Sequence, residues 1–171
     1  MERKGVVTFK GNPLTLLGSE IKVGDKAPDF TVINKELKEA RFKDFAGIIK
    51  LISVTPSLDT PLCDMQARKF NEEAAKLPAE VEIMNISMDL PFAINRFCST
   101  AGIERIKTFS DHRNASFGMA YGVLIKELRL LSRSVFVINK KDVIHYMEIV
   151  PDITMSINFE KALAAAKKLS A

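Results

Sequence analysis

Cys63 and Cys98 are the only cysteines in 171 residues, and they are the side chains best suited to nucleophilic or redox chemistry. A thiol reacts as its thiolate, so the surroundings of each decide what it can do. Cys63 follows Thr60 and Pro61, a pair that marks a helix start. Thr suits the N-cap, and Pro suits the first helical position, where a missing N–H costs nothing. Cys63 is then the third helical residue, in a first turn whose unpaired amides and dipole favour an anion. Just upstream, Ile48–Val54 is a dense apolar run, as expected of a strand buried on both faces. A strand-to-loop-to-helix junction of this kind exposes a side chain at the carboxyl end of the strand, where open α/β folds place ligands. The alternative is that Cys63 only begins the apolar stripe of its helix, with Ala67, Phe70, Ala74 and Leu77. Cys98 leans towards a structural role. It falls mid-helix beside Phe97 on an apolar face, and free Cys is among the most buried residue types.

Other chemistries find little material. The two histidines, His112 and His145, lie far from each other and from both cysteines, so no zinc-type spacing exists and no metal is expected. Position 60 is Thr, which leaves no Cys-x-x-Cys pair and disfavours general dithiol exchange. Twenty-five Lys and Arg against twenty-one Asp and Glu give +4, but the largest cationic knots, Lys140-Lys141 and Lys167-Lys168, are two residues each. With two Tyr and no Trp there is no base-stacking platform, so nucleic acid is not an expected partner. The longest uncharged stretch, Asn114 to Ile125, is too short to span a bilayer, so no membrane role is expected. No apolar segment precedes Lys10, so no secretory signal is expected and the cytoplasm is the expected compartment. In a reducing cytoplasm two thiols are not a structural staple.

The elements that would position these residues alternate. Residues 1–20 read as a hairpin, Val6–Phe9 and Leu14–Leu17 about a turn at Gly11-Asn12-Pro13. After a loop at Val23–Pro28 come a short strand at Phe30–Ile33, the buried strand at Ile48–Val54, and a helix from Pro61 to about Leu77. Val81–Met88 reads as a strand, and a second helix from Pro91 to Gly102 carries Ile94, Phe97, Cys98 and Ala101. A short strand at Ile106–Phe109, a helical turn at Ser116–Tyr121 and a strand pair at Ser134–Ile138 and Val143–Ile149 follow. The last helix carries Phe159, Ala162, Leu163, Ala166 and Leu169 on one face. Strands alternating with helices and closed by an antiparallel pair predict an α/β sandwich with a mixed central sheet. Length and the absence of repeats or linkers predict one domain over 1–171.

Pro56-Ser-Leu-Asp-Thr60-Pro-Leu-Cys63 matches the Pro-x-x-x-Thr-x-x-Cys signature of the peroxiredoxins, and Ser53–Cys63 resembles its form in the thiol peroxidase branch. Four further blocks resemble the same branch in order. They are the hairpin at Val6–Leu17, Gly24–Phe30, Ser87–Ala93 with Arg96-Phe-Cys98, and Ser110–Asn114 with Tyr121–Val123 and Ser132–Val137. The likeness covers essentially the whole chain. It implies a thioredoxin-like fold with an extra N-terminal β-hairpin, and reduction of hydroperoxides without metal or organic cofactor.

The resemblance also implies roles. Cys63 would be the peroxidatic cysteine, passing through a sulfenic acid, and Cys98 the resolving cysteine, closing an intrachain disulfide that thioredoxin reduces. A homodimer is implied as well. Thr60 would cap the helix and offer its hydroxyl to the peroxide. Pro56, lacking an N–H, would cover the pocket without competing for hydrogen bonds. Arg133, at the start of the Val135–Ile138 strand, would stabilise the thiolate and the developing oxyanion. Arg113 is a second candidate, ranked below it as a structural or interface charge, and Asp59 is expected to point away from the pocket. A redox relay using the same cysteines, or a thioredoxin-fold binding module with inert thiols, are the competing functions, and sustained peroxide turnover would separate them.

Overall fold

A computed structural model describes residues 1–171. Seven strands form the central sheet: β3 (Thr31–Asn34), β4 (Glu39–Arg41), β5 (Ile49–Val54), β6 (Val81–Ser87), β7 (Lys107–Ser110), β9 (Ser134–Ile138) and β10 (Ile144–Ile149). Their order is β10-β9-β5-β6-β7-β3-β4. β5, β6 and β7 run parallel; β9, β10, β3 and β4 complete the two sides antiparallel. The parallel pairs are joined by helices, since parallel neighbours need a crossover. α1 (Pro61–Ala74) follows β5, and α2 (Pro91–Ala101) follows β6. α4 (Phe159–Ser170) packs beside them on one face of the sheet. α3 (Ser116–Ala120) and a 3₁₀ turn at Phe42–Phe45 cover the other.

β5 shows why both faces are buried. Ile49 and Leu51 join the core under α1, α2 and α4, while Ile52 and Val54 join the aromatic core of Phe30, Phe42, Phe117, Tyr121 and Phe136. Two residues of this strand, Lys50 and Ser53, break the apolar pattern. Lys50 is fully buried, yet its ammonium is satisfied by Asp142 at 2.8 Å and by the Ile48 carbonyl at 3.0 Å. A buried charge persists only when so paired.

The N-terminal hairpin is present, with its turn shifted. β1 (Glu2–Phe9) and β2 (Asn12–Leu17) turn at Lys10-Gly11, both with positive φ (51° and 83°), the backbone of a two-residue hairpin turn. Asn12 and Pro13, expected in the turn, instead pair with Phe9 and Thr8. A short third strand, β8 (Leu124–Ile125), was not expected from the sequence and meets β2 at Leu16 and Leu17 only. Pro13 thus lies beyond the reach of β8, so its missing N–H leaves no gap in a ladder. β4 and the 3₁₀ turn were also unanticipated; each is too short to show a period.

Candidate active site

β5 ends at Val54, and the chain runs through Thr55 to Thr60 into α1. Thr60 is the N-cap residue with extended backbone, Pro61 opens the helix, and Cys63 lies in the first turn as expected. The hydroxyl does not cap. Thr60 Oγ1 donates to the Ser57 carbonyl at 2.9 Å, so its proton closes the loop and the helix amides receive nothing from it. Its oxygen lone pairs are left to accept.

Arg133 precedes β9, the antiparallel neighbour of β5, and that adjacency carries it beneath the start of α1. It is 3% exposed, which rules out the surface arginine that its charge alone would suggest. All three nitrogens have partners. Nη2 donates to Cys63 Sγ at 3.2 Å, Nη1 to Gln66 Oε1 at 3.0 Å, and Nε to the Ile153 carbonyl at 3.1 Å. A guanidinium keeps its charge at every physiological pH, so Cys63, itself fully buried, faces a permanent cation within hydrogen-bond range. The guanidinium and the first turn of α1 thus meet at one sulfur.

Gln66 was missed by sequence reasoning. One turn after Cys63 it interrupts the buried stripe of α1, and a polar residue on such a face was the available signal. Its amide donates to Ser53 Oγ at 2.8 Å, and Ser53 Oγ also accepts from Asn85 at 3.2 Å. Cys63, Arg133, Gln66, Ser53 and Asn85 form one continuous buried polar chain, each member with a partner, as buried polar groups require.

A cavity of about 430 Å3 meets this group at Arg133 alone, and the fully buried Cys63 lies behind its lining. Pro56, Thr60 and Arg133 line it together, with Phe9, Leu62, Leu128, Leu130 and Ile153 as apolar walls. Cys98 is elsewhere. Its sulfur lies in the core under α2, 3.6 Å from Thr108 Oγ1, and both cysteines are free thiols. A separate hollow of about 470 Å3 lies between Ser57, Leu58 and Asp59 on one side and Arg96, Phe97 and Thr100 of α2 on the other. Asp59 is exposed and faces that hollow, so its charge is turned from the Arg133 cavity, as expected. Arg113 is an exposed residue ion-paired with Glu39 at 3.7 Å and lines neither space.

Comparison with known proteins gives this arrangement a lineage. The Redoxin family model matches residues 22–165. The chain is 58% identical over 161 residues to a thiol peroxidase of Halalkalibacterium halodurans, covering 94% of this chain and 96% of that one. The thiol peroxidase of Bacillus subtilis is 54% identical over 163 residues, covering 95% and 97%. The chain belongs to the Redoxin family, in the thiol peroxidase branch of the peroxiredoxins. Among solved structures, a peroxiredoxin-like protein from Aquifex aeolicus superposes with a TM-score of 0.90 at 40% identity, covering 98% of this chain and 97% of that one. The thiol peroxidase from Chromobacterium violaceum shares the fold, with a TM-score of 0.83 at 21% identity and coverage of 96% and 97%. No helix is long and apolar enough to cross a membrane.

Proposed function

We propose that this thiol-dependent peroxidase works through Cys63 as the peroxidatic cysteine, activated by Arg133, with Cys98 resolving it inside the same chain. The observation that carries the proposal is the 3.2 Å contact from Arg133 Nη2 to Cys63 Sγ, held by two further buried bonds of the same guanidinium. The Cys63 thiolate attacks one peroxide oxygen. An S–O bond forms, the O–O bond breaks, and the leaving alkoxide or hydroxide takes a proton to become alcohol or water. Arg133 stabilises the negative charge that moves from sulfur to the leaving oxygen. Thr60 Oγ1, its own proton on Ser57, accepts the peroxide O–H, and Pro56 walls the cavity without offering a donor.

Cys98 then attacks the sulfenic acid. The S–S bond forms, the S–O bond breaks, and the thiol proton leaves with the hydroxide as water. A thioredoxin-type dithiol returns both sulfurs to thiols. Nothing but cysteine carries electrons in this scheme, so neither metal nor organic cofactor is invoked. The five apolar walls favour an organic hydroperoxide, since each buried methylene contributes about 0.8 kcal/mol. The enzyme acts as one domain over 1–171, as a homodimer, in the cytoplasm, where thiols are kept reduced.

Steady-state peroxide consumption with thioredoxin, thioredoxin reductase and NADPH tests the assignment. Cys63→Ser should abolish it, and Cys98→Ser should stop after one turnover as a sulfenic acid or an interchain Cys63 dimer. Run with tert-butyl hydroperoxide and hydrogen peroxide, the same assay should favour the alkyl substrate in kcat/KM. A Cys63→Ser variant that retains turnover would overturn the assignment.

A further inference from the structure

The Ile153 carbonyl that receives Arg133 Nε lies in the connection between β10 and α4, a stretch outside every strand and helix. The N-terminal hairpin fixes it. Thr8 in β1 donates its N–H to the Pro151 carbonyl at 2.9 Å and accepts the Ile153 N–H on its own carbonyl at 3.0 Å. Asp152 doubles the joint. Its Oδ2 accepts from Thr8 Oγ1 at 2.6 Å and from the Gly11 N–H at 3.0 Å. Its Oδ1 accepts from the N–H and hydroxyl of Thr154 at 2.9 Å and 2.5 Å. The Thr154 hydroxyl foremost, then that of Thr8, hold this carboxyl well below the usual carboxylate range. The Ile153 side chain, 7% exposed, sinks among Val7, Leu14, Leu16 and Ile125. Ile153 is thus anchored by its side chain in the hairpin's own core while its carbonyl faces the arginine.

From this geometry we propose that Asp152 and Thr8 are positioning residues for peroxide reduction: they fasten the hairpin to the Pro151–Thr154 connection, so that the Ile153 carbonyl aims the Arg133 guanidinium at Cys63. Asp152 forms no hydrogen bond or ion pair with Arg133 or Cys63, so it acts only through Ile153. A planar guanidinium is oriented by the directions of its bonds. Loosening the Nε partner lets the plane swing, and a misplacement of about 1 Å in an active site can cost as much as a hundredfold in rate. The proposal rests on the role given above to Arg133.

A double-mutant cycle between Asp152→Ala and Arg133→Met tests it, with stopped-flow rates of Cys63 oxidation by hydrogen peroxide as the readout. Asp152→Ala alone should lower the second-order rate about tenfold or more. In the Arg133→Met background the same change should cost nothing further. The Arg133 Nε–H signal in NMR should be protected from solvent exchange in the wild type and lose that protection in Asp152→Ala. An unchanged rate in Asp152→Ala, or an equal loss in both backgrounds, overturns the proposal while leaving Arg133 its role. An unchanged rate in Arg133→Met alone overturns the role of Arg133 instead. Should Asp152→Ala fail to fold by circular dichroism, Thr8→Val, which removes one hydroxyl at constant shape, enters the same cycle with the same expectations.

Discussion

Each nitrogen of the Arg133 side chain has its own buried acceptor, and that has a consequence for both rate and stability. Arg133→Met removes the cation facing Cys63, and loss of one such stabilising group costs roughly 2.7–4 kcal/mol of barrier, about a hundred- to a thousandfold in rate. It also strands Gln66 Oε1 and the Ile153 carbonyl, at about 1–3 kcal/mol each where no water reaches them. Stopped-flow oxidation should therefore slow by that factor, and urea unfolding should show a loss of a few kcal/mol. A surface arginine would move neither quantity. Of this group, the Thr60-Pro61 helix start made Cys63 a candidate on physical grounds, with a place at the head of its helix's apolar stripe as the open alternative until the family motif is added. Arg133 stood out only through the family motif, because nothing local tells a buried arginine beside a strand from an exposed one. Gln66 went unseen, since its partner is sixty-seven positions away and only the fold brings them together.

At the scale of elements, a single carboxylate joins the segments that carry the two cysteines. Asp89, just before α2, accepts from Ser57 Oγ and the Leu58 N–H at 2.7 Å each, and from Ser87 Oγ at 2.8 Å. It ties the loop leading to Cys63 against the start of the Cys98 helix. Asp89→Ala should lower the melting temperature and speed disulfide closure after a peroxide pulse, read by acid quench and mass spectrometry. Slower closure would show that the tie guides the cysteines together. A second carboxylate serves α3. Asp111 accepts the Phe117 and Gly118 N–H groups at 3.0 Å and 2.8 Å, a capping task that Ala115 at the N-cap lacks the side chain to perform. Burial is the largest influence on this carboxyl and pushes it up to about 6, against its backbone bonds and Arg129. The folded state therefore holds its proton more tightly between the ordinary 3.8 and about 6. Its contribution to stability is present below 3.8 and is lost as pH rises through about 6. Unfolding free energies measured across that window should fall with pH more steeply in the wild type than in Asp111→Asn. The helix starts at Pro61 and Pro91 could be read from sequence and α2 to within a residue, whereas α1 ends at Ala74, three residues short of the Leu77 that its apolar stripe predicts. β4, β8 and the 3₁₀ turn could not be read, because tertiary contacts rather than propensity define elements of two to four residues.

Across the whole molecule, the two thiols belong to different βα units, are 0% and 4% exposed, and have different neighbours. A disulfide needs Cα atoms within about 7 Å, whereas packed helices lie about 8–10 Å apart axis to axis. Oxidation should accordingly cost amide protection around Cys63 and between Pro91 and Gly102, measured by hydrogen exchange on the reduced and oxidised protein. An oxidised protein as protected as the reduced one would show that no opening is needed. The order of strands, by contrast, was beyond the sequence: alternation announces a mixed sheet, but that β9 rather than β7 lies beside β5 depends on long-range pairing. That pairing also sets when the site can exist during synthesis. Cys63 and its helix leave the ribosome well before Arg133, and Arg133 well before the Ile153 carbonyl that seats it. A nascent chain that has not reached residue 153 carries a cysteine without its complete electrostatic partner. On the roles proposed above, full reactivity towards peroxide should therefore await residue 153, and the hairpin made first waits for the connection it is to hold.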